Sequence, residues 1–377
     1  MKIKFHDIYK GLSNKNEIEK KIISLIRSNS FIGGKPVDKF EKKFAKFTKS
    51  NYCISVGNGT DALEIALEAL KVKKGSEVIV PVNTWISTAE IVLRNGLKLV
   101  FCDINLDDYS INLQDLQKKI SKKTKVIIPV HLYGNPSDMI NIVKLGKKNN
   151  IKIIEDCAQA HGATLNNKHV GTFGEFGTFS FYPGKNLGAF GDGGCIITSN
   201  KKYAELCQRI RNHGSLKKYD HTIIGRNSRL DTIQSAILSL RLDHYDRALK
   251  KRNYLASIYD KKLKNIIGLE LPIKKDKMYS AYHQYVVRTD KRNKLKAYME
   301  SKKIDTMIHY PYMLSELKIF KKSKGFKSLK NSRNLGGKIL SLPISEEHSL
   351  KEIYFIAKTI KSFFQKIWKY LYISKFI

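Results

Sequence analysis

Lys152-Ile153-Ile154-Glu155-Asp156-Cys157-Ala158-Gln159-Ala160-His161-Gly162 and, further on, Phe179-Ser180-Phe181-Tyr182-Pro183-Gly184-Lys185-Asn186-Leu187-Gly188 decide the reading of this chain. The first is a run of isoleucines that ends on a carboxylate. The second is a strand-like run that breaks into a glycine-rich loop carrying one lysine. An acid at the end of a buried strand is costly to desolvate unless a cation meets it. A protonated pyridine would be such a cation. Pyridoxal 5'-phosphate (PLP) needs both parts: a lysine amine that holds it as a Schiff base, and a carboxylate that keeps its ring nitrogen protonated. Asp156 and Lys185 are the candidates. Asp156 also reads as a helix cap or an ion-pair member, and Lys185 taken alone reads as a surface lysine.

Around these segments, apolar strand-like runs alternate with helix-like ones. The pattern predicts buried strands over 52–56, 77–80, 98–101, 125–130 and 152–155, with helices over 60–71, 87–95, 113–120 and 138–149 between them. That βαβα order implies a mostly parallel sheet sandwiched by helices, with chemistry at the strand C-terminal ends. Two further strands are predicted over 176–181 and 193–198, joined by the lysine loop. Helices follow over 201–212 and, as one long element, 230–255. Beyond about residue 245 the pattern weakens to a strand over 282–288 and helices over 291–302 and 349–364. The expected chain is α/β, with a large domain over 1–245 and a smaller C-terminal α+β domain over 246–377.

Other residues supply the remaining parts of a cofactor site. Gly57-Asn58-Gly59-Thr60-Asp61-Ala62-Leu63 joins a strand to a helix, where exposed N–H groups favour a phosphate. Gly59 lets the backbone approach and Thr60 adds a hydroxyl; the competing reading is a tight turn with Thr60 as N-cap. Trp85 follows the next strand and either stacks on a pyridine ring or fills the core. Gln159 is a candidate partner for the ring oxygen O3′, and His161 reads equally as ring support or core. Ser180, just before the lysine loop, is a second phosphate donor.

Bulk properties narrow the class. A chain of 377 residues with 42% hydrophobic and 27% charged content fits a globular protein with a large core. It has no apolar run long enough to cross a bilayer. Met1-Lys2-Ile3-Lys4-Phe5-His6 lacks a signal-peptide pattern, so the expected location is cytoplasmic. Five scattered cysteines with no C-x-x-C pair predict neither a disulfide framework nor a metal site. The net charge of +35 would favour polyanions. The surplus, however, is 57 lysines against 12 arginines, dispersed in pairs such as Lys42-Lys43 and Lys217-Lys218. No specific nucleic-acid partner is expected from that pattern.

Together these segments resemble the DegT/StrS-type sugar-nucleotide aminotransferases, which are PLP enzymes of fold type I in the aspartate aminotransferase superfamily. The likeness runs from about Phe31 to Pro343. It rests on Gly57–Leu63, Asn83-Thr84-Trp85, Glu155–Gly162, Phe181–Gly188, Gly225-Arg226-Asn227-Ser228-Arg229-Leu230-Asp231 and Ile308-His309-Tyr310-Pro311. The resemblance implies a homodimer with shared active sites, in which Asn227 reaches the partner's PLP phosphate. It further implies substrate contacts from Arg229, His309 and Tyr310, a nucleotide-sugar substrate with L-glutamate as donor, and a role in glycan or lipopolysaccharide synthesis. Arg229 also reads as an interface or surface salt bridge. The wording around Asn227 leans toward amination at C3.

One branch of that family carries histidine in place of the lysine and dehydrates its sugar; Lys185 favours transamination. Two alternatives remain: a PLP-dependent sugar dehydratase, and a non-catalytic polyanion-binding regulator. The chain departs from many relatives at Met313-Leu314-Ser315, where a histidine is missing. It also runs on into a basic aromatic tail, 363–377, that reads as an interfacial membrane contact or as a segment folded onto the dimer.

Overall fold

The structure, a computed structural model, describes residues 2–373, with side chains as far as Lys366. Its strands are β1 (Tyr52–Val56), β2 (Glu77–Pro81), β3 (Lys98–Cys102), β4 (Thr124–Ile127), β5 (Lys152–Asp156), β6 (Thr164–Leu165), β7 (Lys168–His169), β8 (Phe176–Ser180), β9 (Gly194–Thr198), β10 (Met278–Tyr279), β11 (Tyr285–Arg288) and β12 (Ile339–Leu342). Seven of them form one sheet in the order β1-β9-β8-β5-β4-β2-β3. β3, β2, β4, β5 and β8 run parallel to one another. β9 runs antiparallel to both β8 and β1. The reason is the connection: a loop rather than a crossover helix leads from β8 to β9, so the chain turns back on itself.

Every residue of β2, β8 and β9 is buried, as expected where helices cover both faces of a sheet. Side-chain alternation divides the core. Val78, Val80, Phe101, Val126 and Ile154 join a cluster with the helix Gly59–Ala69. Their neighbours Ile79, Val100, Ile127 and Ile153 join a second cluster on the other face. The connecting helices form where the periodicity places them. Their starts are fixed by Asn58, Asn112, Asp138 and Asn200, whose side chains accept backbone N–H groups of the first turn.

The structure corrects the sequence reading in several places, beyond the unforeseen strands β6, β7, β10 and β12 and the start of β11 at Tyr285 rather than 282. The single helix expected over 230–255 is two, Thr232–Asp243 and Tyr245–Leu263. Asp231 caps the first through Gln234 N–H, so Leu230 stays outside it. His244 (φ −109°, ψ 3°) ends it. Leu238 of the first helix and Tyr245 and Leu249 of the second join the cluster around Phe40 and Phe181, and from Leu255 onward the second helix packs in the C-terminal cluster. β4 ends at Ile127 rather than at residue 130. The N-terminal helices Lys15–Arg27 and Lys35–Thr48 were not foreseen.

The C-terminal cluster is built on the β11–β12 pair and the helix Leu350–Ile373. Ile3 bridges Ile304 and belongs to that cluster, so the first residues of the chain pack on the last third. Phe363 and Phe364 of the tail are buried there as well. The tail's last residues, 374–377, lie outside the described residues. No helix among the described residues is long and apolar enough to cross a membrane.

Candidate active site

β5 delivers Asp156 to the C-terminal edge of the sheet, where it is only 5% exposed. Its Oδ2 accepts from the Thr88 hydroxyl at 2.8 Å and its Oδ1 from Ala158 N–H at 3.1 Å. Burial pushes the carboxyl above the usual aspartate range; these two donors and the charge of Lys185 oppose the shift. Asp156 forms no ion pair among the described residues.

Lys185 lies in the loop after β8. Its N–H bonds Tyr182 O at 2.8 Å, and Gly188 closes the turn where a Cβ would sit 2.4 Å from Pro183 O. Asn186 fixes this loop to the C-terminal part of the chain: its Nδ2 donates to Ala281 O at 2.7 Å, and its Oδ1 lies 3.1 Å from His283 Nδ1. Desolvation pulls the Lys185 ammonium down to about 8, against the attraction of Asp156. His161 and His309 are held neutral, near 3 and 4, by burial first and by the Lys185 charge second.

The turn before the helix Gly59–Ala69 forms a cup. A Cβ on Gly59 would stand 2.6 Å from the Ser180 Cβ, so only glycine lets this helix end close on β8. Asn58, not Thr60, is the N-cap. The Thr60 hydroxyl instead meets Ser87 Oγ at 2.7 Å. Gly57 N–H donates to Ser228 Oγ, which in turn donates to Asp61 Oδ2.

Trp85 is 58% exposed, so the reading as a core tryptophan is wrong; its ring faces Tyr310 at 5.6 Å. Gln159 is engaged on both ends of its amide. Its Oε1 accepts from Tyr133 N–H at 2.7 Å, and its Nε2 donates to Tyr310 Oη at 3.0 Å. The Tyr133 hydroxyl donates to His309 O, and His309 Nδ1 meets Ser341 Oγ at 2.9 Å. The His-Tyr-Pro motif is thus tied to the strand ends of the large sheet. His161 resolves as core: it is fully buried, with its ring 5.4 Å from Phe179 and 5.7 Å from Phe181.

Asn227 and Arg229 are exposed on this chain, on either side of the buried Ser228. Arg229 contacts Asn212 Oδ1 at 3.3 Å and forms no salt bridge among the described residues. The segment before them leaves Tyr219 (81%) and Ile224 (92%) open.

Sequence reasoning missed Thr88, Tyr133 and the Asn186–His283 contact. Thr88 carried no signal, since its partners Thr84 and Asp156 lie outside its helix. Tyr133 and His283 carried none. The buried trio His131, Glu155 and Cys157 is not a metal centre: Glu155 already takes N–H groups of Gly171, Phe173 and Gly174 and contacts His131 Nε2, while His131 Nδ1 accepts from Ser137.

These residues fit PLP. A desolvated carboxylate without a basic partner suits a pyridinium, a glycine-lined helix end beside Ser180 suits a phosphate, and an amine lowered to about 8 suits an aldehyde. The model of the DegT/DnrJ/EryC1/StrS aminotransferase family matches residues 13–361. A protein of Geobacillus stearothermophilus described as a pleiotropic regulatory protein is 40% identical over 93% of this chain and 95% of its own. The dTDP-3-amino-3,6-dideoxy-alpha-D-galactopyranose transaminase of Aneurinibacillus thermoaerophilus is 39% identical over 92% and 95%. The crystal structure of DesV from S. venezuelae, in complex with a ketimine intermediate, superposes with a TM-score of 0.93 at 33% identity and covers 96% of this chain and 98% of that one.

Proposed function

The chain belongs to the DegT/DnrJ/EryC1/StrS aminotransferase family, and from that premise we propose that it is a PLP-dependent aminotransferase that converts a nucleotide-linked keto-deoxy sugar to the amino sugar. The observation that carries this reading is the buried Asp156 carboxylate at the end of β5 and Lys185 in the loop that follows the neighbouring β8, both at the C-terminal edge of one sheet. An intact pair of this kind speaks against a non-catalytic polyanion binder, and the lysine speaks against a dehydratase.

In this reading Lys185 holds the cofactor, Asp156 faces its ring nitrogen, and Gly59, Thr60 and Ser180 line the phosphate. Trp85 covers a ring face and Gln159 approaches O3′. When bound, PLP carries the amino group and delocalises the electron pair released at the reacting carbon. The free Lys185 Nζ would serve as the base for the proton of the donor carbon and as the acid toward the sugar carbon. Desolvation lowers that amine to about 8, so more of it is neutral near physiological pH than for an ordinary lysine.

L-Glutamate is the proposed donor, and C3 the proposed position, in line with the 3-amino sugar named for the Aneurinibacillus relative. His309, Tyr310 and Arg229 are the proposed substrate contacts. A homodimer in which Asn227 completes the partner's phosphate site accounts for the exposed Tyr219 and Ile224. The division into 1–245 and 246–377 stands with this proposal, with the N-terminal residues crossing to the second unit. Its expected setting is the cytoplasm and surface-glycan synthesis.

The test is an absorbance spectrum of the protein with PLP, before and after L-glutamate. A band near about 410–430 nm that gives way to one near about 330 nm is the expected result for a lysine-held cofactor taking up an amino group. A PLP band that glutamate leaves unchanged would exclude this donor; no band at all would remove the enzyme reading.

A further inference from the structure

One short turn touches all three parts of the site. Within residues 84–88, Ser87 meets the Thr60 hydroxyl of the helix-end cup, Trp85 presents its ring to the cleft, and Thr88 donates to Asp156. Thr88 is fully buried and Thr84 is 3% exposed, and their hydroxyls lie 3.1 Å apart. A threonine hydroxyl has one proton. The Asp156 carboxylate, as an acceptor, takes the proton of Thr88. Thr88 Oγ1 must then accept from Thr84. The direction of the chain is fixed by the charge at its end: Thr84 to Thr88 to Asp156. In a buried site each such link polarises the next.

We propose that Thr88, backed by Thr84, is a positioning residue for the ring-facing carboxylate. It occupies Oδ2, keeps Asp156 ionised despite its burial, and fixes the orientation in which Oδ1 faces the cofactor ring. Because the same turn carries Trp85 and Ser87, the relay also sets the carboxylate's height relative to the ring face and the phosphate cup. This inference rests on the reading of Asp156 as the partner of the pyridine nitrogen.

The test is a double-mutant cycle of Thr88→Val with Asp156→Asn, with Thr88→Ser as the control that keeps the donor. Two readouts are taken. The first needs no cofactor: the thermal midpoint of the apoprotein against pH. A carboxylate that loses its donor has its pKa raised further, so the Thr88→Val penalty is present at neutral pH and fades as Asp156 is protonated in acid. The second is PLP affinity, followed by the absorbance of the bound cofactor. Thr88→Val is expected to weaken it roughly tenfold or more, as for loss of a buried hydrogen bond to a charged group.

Thr88→Ser should track the wild type in both readouts. In the Asp156→Asn background, where the amide can still accept a neutral hydrogen bond from Thr88, the pH dependence of the Thr88→Val penalty should vanish and the loss of PLP affinity should shrink. If the pH dependence and the full affinity loss persist there, Thr88 only packs its helix and the proposal falls. It falls equally if Thr88→Val behaves as wild type. Should Thr88→Val not fold, Thr84→Val removes the outer link alone and should move the same readouts by a smaller factor. A wild type that binds no PLP, with the apoprotein coupling intact, would leave the relay standing and overturn the proposed function instead.

Discussion

Lys185→Ala is expected to lose at least about 10³-fold in transamination, since it removes both the covalent anchor and the proton-transfer base. The fold should survive. The Lys185 ammonium is disfavoured by burial, so deleting it relieves a desolvation cost rather than breaking a network. Circular dichroism and the apoprotein's thermal midpoint should therefore match or exceed the wild type. Added methylamine should restore part of the lost rate by supplying a base in the vacated space. Turnover retained without any added amine would sink the assignment. The wild type carries a matching pH signature. Only the neutral amine attacks an aldehyde, and its fraction reaches half at about pH 8. The rate of PLP capture by the apoprotein should rise about tenfold per pH unit below that value and level off above it. A rate still climbing near pH 10 would show an amine with an ordinary lysine pKa.

Asp156→Asn should be nearly as damaging to activity while leaving shape unchanged. The amide keeps the size of the side chain and can still accept from Thr88, but it cannot hold a proton on a ring nitrogen. A loss on the order of 10³-fold corresponds to about 4 kcal/mol of barrier. It should appear in kcat more than in KM, since the substrate does not touch this side chain. Stability is expected to move the other way. Burial raises the Asp156 pKa, so the folded state binds a proton more tightly than the unfolded chain. The stability from that tighter binding is complete below the unfolded pKa and is lost as pH rises through the folded one. At neutral pH the carboxylate is a net cost in the apoprotein. Asparagine removes that cost, and the apoprotein should melt at the same temperature or higher. An apoprotein markedly destabilised by Asp156→Asn would show instead that this carboxylate is a structural anchor.

The two residues behind these results were legible in the chain because each is marked locally. Asp156 is a charge where a run of isoleucines ends, and Lys185 sits among glycines after a strand. The same holds for the βαβ order, since hydrophobic period and N-cap chemistry act over a few residues. The antiparallel β9, by contrast, follows from a connection whose length does not reveal its direction. The break at His244 separates two helices whose neighbours Leu238 and Tyr245 still share one cluster, and nothing in the hydrophobic period marks it.

Trp85 shows the limit within the site. Sequence placed it after a strand but left cleft and core equally open; the sheet edge leaves it exposed beside Tyr310. Thr88 to Asp156, Asn186 to His283 and Tyr133 to His309 join residues far apart in the chain, and each depends on a side-chain hydrogen bond across elements. Such bonds leave no periodic trace. The sequence by itself singled out Lys185 and Asp156 as the residues of the proposed chemistry, because a charge at a buried strand end and a lysine among glycines are marked locally. Only the tertiary structure decided how that chemistry is held, because the strand order of the sheet sets which distant hydroxyls, rings and loops meet at its edge.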